Sequence, residues 1–79
     1  MQSKYIVLED SNIILFDISF QHKDIANKFL HKEITSAGFA EIYNSQGEII
    51  YKCSGESLSL KLKSNPNDSE LLKRLFADY

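Results

Sequence analysis

The apolar residues of this chain change period along its length, and that switching restricts its fold more than any other feature. Side chains alternate across a strand, so a half-buried strand repeats every second residue, whereas an amphipathic helix repeats about every 3.6 residues. The cleanest alternation runs over residues 57–63. Leu58, Leu60 and Leu62 fall on one side, and Ser57, Ser59, Lys61 and Lys63 on the other. This predicts a strand with one wet face, which belongs to an antiparallel sheet. Residues 13–20 alternate as well, with Ile14, Phe16, Ile18 and Phe20 at the even positions. Together with residues 4–9 and the turn Asp10-Ser11-Asn12 they predict a hairpin.

Between these strands the period lengthens. Ile25, Ala26, Phe29 and Leu30 place an apolar stripe on a helix over residues 22–32, with Asp24 in its first turn and His31 and Lys32 in its last, the order that suits the helix dipole. Residues 34–44 return to strand character, interrupted at Gly38, where a bulge or a close backbone approach is expected. Asn44-Ser45-Gln46-Gly47 predicts a type I turn with glycine at the left-handed position, leading into a strand over 48–53. After Ser64, Asn65 is placed to cap a final helix, with Pro66 at its first position and the stripe Leu71, Leu72, Leu75, Phe76 and Tyr79 on its inner face. The expected order is ββαβββα: an α+β domain whose antiparallel sheet of about five strands carries both helices on one face.

A chain of 79 residues holds one domain, residues 1–79. A domain this small hides only about 60% of its unfolded surface and often draws stability from a disulfide, a metal or a second copy. Cys53 is the only cysteine, so an internal disulfide is excluded. His22, His31 and Cys53 lack close ligand spacing, so neither a metal nor a cofactor is expected. Self-association remains as the third aid. A lone cysteine, a start without a basic, apolar leader and no long apolar run lead to an expectation of a cytoplasmic protein without a membrane span.

Catalytic readings of these residues are poor. Gly55-Glu56-Ser57-Leu58-Ser59 has the outline of a nucleophile elbow, but Ser59 replaces its second glycine and a strand, rather than a helix, is expected to follow. Cys53 flanked by strand residues reads as a small buried hydrophobe. His22 and His31 lie on opposite sides of one helix, Asp10 belongs to a turn, and Glu9 and Asp17 have no cleft in which to act. Net charge is −2, from 9 basic and 11 acidic residues, so the basic excess usual in nucleic-acid binders is missing. Lys23, Lys28, Lys61 and Lys63 are the residues that would meet phosphates, with Tyr5, Tyr43 and Tyr51 stacking on bases. The leading expectation is instead a non-enzymatic protein-binding module, a homodimer or the binder of another protein. It would act through a sheet edge or through the wet face of Ser57, Ser59, Lys61 and Lys63.

The run Gly55-Glu56-Ser57-Leu58-Ser59-Leu60, followed by Leu62, Ser64, Pro66, Asp68 and Leu71-Leu72, resembles a pattern in small uncharacterised phage and prophage proteins. Ala37-Gly38-Phe39 matches a step in the same group, which carries arginine where this chain has Asn65. The resemblance implies an accessory protein of viral origin rather than a metabolic enzyme, and assigns no role to any residue.

Overall fold

In the computed structural model, which describes residues 2–77, the chain is an α+β domain built on a four-stranded antiparallel sheet. β1 (Gln2–Leu8) and β2 (Ile13–Phe16) form the expected hairpin, β3 (Ile34–Ser45) pairs on the other side of β1, and β4 (Glu48–Ser54) completes the order β2-β1-β3-β4. Tyr79 of the expected terminal stripe lies outside the described residues.

The helices lie on opposite faces, which corrects the one-sided arrangement expected from the sequence. α2 (Asp68–Ala77) brings Leu71, Leu72 and Leu75 onto Tyr5, Val7, Ile13 and Ala40. α1 (His22–Ala26) and the 3-10 turn Asn27–Phe29 bring Ile25 and Phe29 onto Ile6, Leu8, Ala37, Ile14 and Phe16. The central strand β1 is therefore buried on both sides, with Tyr5, Ile6, Val7 and Leu8 each at most 3% exposed. A strand covered on both faces needs a continuous apolar run rather than an alternating one. Tyr5-Ile6-Val7-Leu8 and Ile13-Ile14-Leu15-Phe16 are such runs.

Three local departures have local causes. The second strand stops at Phe16, because Asp17 accepts the N–H of Ser19 through Oδ1 (2.8 Å) and that of Phe20 through its carbonyl (3.1 Å). This turn leaves Ile18 and Phe20 half exposed. α1 tightens after Ala26 into 3-10 winding, whose shorter turn carries Leu30 off the apolar stripe and into solvent. At the β3–β4 turn both Gln46 (φ 52°) and Gly47 (φ 85°) are left-handed, making the two-residue turn type I′ rather than type I.

The largest departure is at residues 57–63, which are not one strand. β5 (Glu56–Ser57) and β6 (Leu62–Lys63) form a separate two-stranded ribbon around the turn 58–61. The Oγ of Ser57 accepts the N–H of Leu60 (3.3 Å), Lys61 N–H closes on Leu58 O (3.3 Å), and Lys61 itself is left-handed (φ 55°). A serine that bonds the backbone three residues ahead offers the chain an alternative to a strand ladder, and here that alternative prevails. Leu60 and Leu62 still reach the core beside α1, but Leu58 is 81% exposed and Ser57 only 2% exposed. The expected single strand with Ser57, Ser59, Lys61 and Lys63 on one wet face is therefore not formed: Ser59, Lys61 and Lys63 are exposed on the ribbon and its turn, and Ser57 is buried.

α2 is capped as the sequence indicates. Asn65 Oδ1 accepts the N–H of Asn67 (3.3 Å), and Asp68 Oδ2 returns to the N–H of Asn65 (2.8 Å). This is a reciprocal cap around Pro66, with regular helix from Asp68 onward. Asp68 has a second task, because its Oδ2 also accepts the hydroxyl of the fully buried Tyr5 at 2.6 Å.

Candidate functional site

One row of side chains across the α1 face organises the most distinctive groove of the molecule. Register places Phe16 of β2 and Phe39 of β3 on either side of Lys4 of β1. His22, the first residue of α1, packs over this row. Its ring meets the edges of Phe16 (centroids 5.4 Å apart) and Phe39 (5.9 Å) in T-shaped contacts. Lys4 turns its ammonium aside to donate to the carbonyl of Phe20 (2.7 Å). The imidazole is 4% exposed, and its Nε2 lies 2.9 Å from the carbonyl of Gly38. A carbonyl can only accept, so Nε2 carries the proton, and the neutral ring keeps Nδ1 as a bare acceptor. Nδ1 has no hydrogen-bond partner among the described residues.

Two glycines make the geometry possible. A Cβ on Gly38 would stand 2.5 Å from the carbonyl oxygen of Ser54, so the chain approaches itself closely here, as the sequence suggested. The register shift of β3 lies instead opposite Val7/Leu8, near Thr35. Gly55 adopts φ +79° and ends β4 by folding the ribbon back over the sheet, with the ring of Phe39 against its Cα side. The ribbon brings Ser57, Leu58 and Glu56 to the rim opposite His22, enclosing a groove of ≈ 480 Å3. Phe39 and residues 55–59 thus line a single surface feature.

The groove offers an apolar wall from Phe39 and Leu58, a solvent-reachable ring nitrogen of His22, and one cation and one anion at Lys4 and Glu56. The hydroxyl of Ser57 is engaged with Ser59 Oγ (3.3 Å) and Leu60 N–H, not with His22. Of the residues singled out from the sequence, Ser57 is buried and lines the groove, and Ser59 lines it while exposed. Lys61 sits in the ribbon turn, and Lys63 pairs across the ribbon with Glu56. Lys23 and Lys28 are exposed along α1 and the 3-10 turn, and neither they nor Lys61 and Lys63 line this groove. The tyrosines do not share a face. Tyr5 is buried, Tyr43 points to the α1 side, and Tyr51 stacks on Phe76 on the α2 side (5.9 Å).

Cys53 is half-buried on the α2 face, and burial pushes its thiol from 9.0 up to about 11, the opposite of what a thiolate nucleophile requires. The described residues contain no group of three or more side chains able to hold a metal, and no helix long and apolar enough to cross a membrane.

His22 was legible only as a helix-end histidine, yet it stands three and four residues before Ile25 and Ala26 and so continues their stripe. Burial holds its pKa below the ordinary 6.5; the Gly38 carbonyl opposes this and the Lys4 cation adds to it. A depressed value means that the unfolded chain binds the proton first. The stability this ring supplies is complete above pH 6.5 and is lost as pH falls through the lower folded value. Cys53 acts in the other direction: its contribution is complete below pH 9.0 and lost as pH rises toward about 11. Urea midpoints are therefore expected to form a plateau between these limits and to decline on both sides. His22→Gln should flatten the shoulder between pH 6.5 and the onset of carboxylate titration.

Comparison with protein-family models, curated proteins and solved structures found no match. The chain is an α+β domain with a two-faced antiparallel sheet and one groove built around a buried imidazole.

Proposed function

We propose that the chain is a non-enzymatic binding module that takes a donor-bearing aromatic side chain, tyrosine or tryptophan, of a partner protein into the His22 groove. One observation carries this reading: the largely buried His22 keeps a ring nitrogen that no described protein group bonds and that still reaches solvent, beside a groove walled by Phe39 and an exposed Leu58. Apolar walls with a few placed polar groups are the usual composition of a ligand site. A bare Nδ1 selects a phenol or indole over a plain benzene ring, because only the former satisfies it. Leu58 is too exposed to serve the core, and its place on the rim gives it a use. The reading replaces the wet strand face expected from Ser57, Ser59, Lys61 and Lys63 with a different surface for the same class of function.

The test is titration with N-acetyl-tyrosinamide, N-acetyl-tryptophanamide and N-acetyl-phenylalaninamide, followed by amide NMR. Saturable shifts at His22, Phe39, Leu58 and Ser59 are expected for the first two. Phenylalaninamide should bind several-fold more weakly, and Leu58→Ser should weaken all three while leaving the urea midpoint unchanged. Equal binding of the three amides, or no saturable shift with any, would contradict the proposal.

A further inference from the structure

β4 is an edge strand, and its open side carries a sequence complementary to its own reverse. The two-residue turn at Gln46-Gly47 makes Ser45 and Glu48 the closing pair of the hairpin, which exchanges both hydrogen bonds. Alternation then turns the backbone N–H and C=O of Ile49, Tyr51 and Cys53 away from β3. Cys53 fixes the phase independently, because its N–H donates outward to Ser69 Oγ on α2 (2.9 Å). α2 thus closes the edge at Cys53 and leaves it open from Ile49 to Tyr51, beside a groove of ≈ 490 Å3 between β4 and α2.

We infer that this open edge pairs with the same edge of a second copy, antiparallel about a two-fold axis at Ile50, joining the two sheets into one. Only outward-facing residues can exchange bonds across the new seam. Centring it on Ile50 sets Ile49 against the partner's Tyr51 and Tyr51 against the partner's Ile49, which uses both open positions. The same register sets Glu48 against the partner's Lys52 and Lys52 against the partner's Glu48. Opposite charges directly across a strand pair are favourable and like charges are not. Ile50 meets its own copy next to Tyr43, its register partner on β3, which is 42% exposed; Ile49, 51% exposed, gains the partner's Tyr51. The run Glu48-Ile49-Ile50-Tyr51-Lys52 therefore reads acid, three apolar residues, base, and complements itself only when reversed. The other edge, β2, is four residues long and has no such pattern.

A small domain with a flat, apolar edge gains by covering it. This pairing is independent of the His22 groove, which lies at the Ser54 end of β4. A seam of this kind keeps both α1 faces on one side of the joined sheet, so the dimer presents two grooves in the same direction and binds bivalently.

Sedimentation equilibrium from micromolar to millimolar concentration is expected to show a monomer–dimer equilibrium. Glu48→Lys, at an exposed position, sets lysine against the partner's Lys52 and should raise the dissociation constant about tenfold. Lys52→Glu should do the same, and the double exchange should restore association. In Ile50→Cys the two thiols fall at a non-hydrogen-bonded pair with Cα atoms about 4.5 Å apart, close enough for a disulfide between copies under mild oxidation. A monomer at millimolar concentration would overturn the inference. So would a dimer indifferent to Glu48→Lys, or one in which Ile50→Cys does not cross-link.

Discussion

Asp68→Ala is expected to destabilise the domain by about 3 kcal/mol or more, because one carboxyl group holds three parts of the chain together. Its Oδ2 accepts the hydroxyl of Tyr5, at the centre of the sheet and 63 residues away, and the N–H of Asn65, which caps α2. Alanine leaves the Tyr5 hydroxyl buried without a partner and removes the cap in the same step. Tyr5→Phe removes only the tertiary bond and should cost less, about 1.5–3 kcal/mol for a hydrogen bond to a charged acceptor. Burial, then the bond to Asp68, holds the Tyr5 hydroxyl far above its ordinary 10.0, so it stays a donor throughout the working pH range. Urea denaturation of both single variants and of the double variant measures the coupling. The account expects the double variant to be less destabilised than the sum of the singles, since the two side chains share one interaction. Strict additivity would show that Asp68 serves α2 alone.

Gly38→Ala is expected to be of similar size, about 3 kcal/mol, for a steric reason. The new methyl group would stand 2.5 Å from the carbonyl oxygen of Ser54 and 3.3 Å from the ring of Tyr5, and neither is a flexible chain end that can swing away. β3 and β4 would have to separate where Gly38 also presents its carbonyl to His22. Gly47→Ala provides the control. It sits at φ +85° with nothing within 4 Å of the added carbon, so it bears only the left-handed backbone penalty of about 1–2 kcal/mol. The account therefore expects a larger fall in the urea midpoint for Gly38→Ala. A reversed order would mean that the approach of β3 to β4 is not tight.

The strands at 2–8, 13–16, 34–45 and 48–54 and the cap at Asn65 were legible because each is governed by neighbours in sequence. The two-sided sheet was legible in part. The unbroken apolar runs at 5–8 and 13–16 carry that information, but the even positions of 13–20 drew attention to one face. The ribbon at 56–63 was not legible, because its alternation fits a strand well. What decides against a strand is a single serine–backbone bond from Ser57 and the left-handed turn at Lys61, and neither alters the pattern of polar and apolar residues. The groove was hidden for a related reason. His22, Phe39 and Leu58 come from three separate segments, and only the Gly38 and Gly55 geometry brings them together.

The claim that matters most for function is that His22 holds its proton on Nε2 and leaves Nδ1 open in the groove. Long-range proton–nitrogen correlation NMR of the imidazole at neutral pH tests it directly. The account predicts a protonated Nε2, a bare Nδ1, and a shift of the Nδ1 resonance when N-acetyl-tyrosinamide is added. A proton on Nδ1, or an Nδ1 resonance that ignores the ligand, would contradict it.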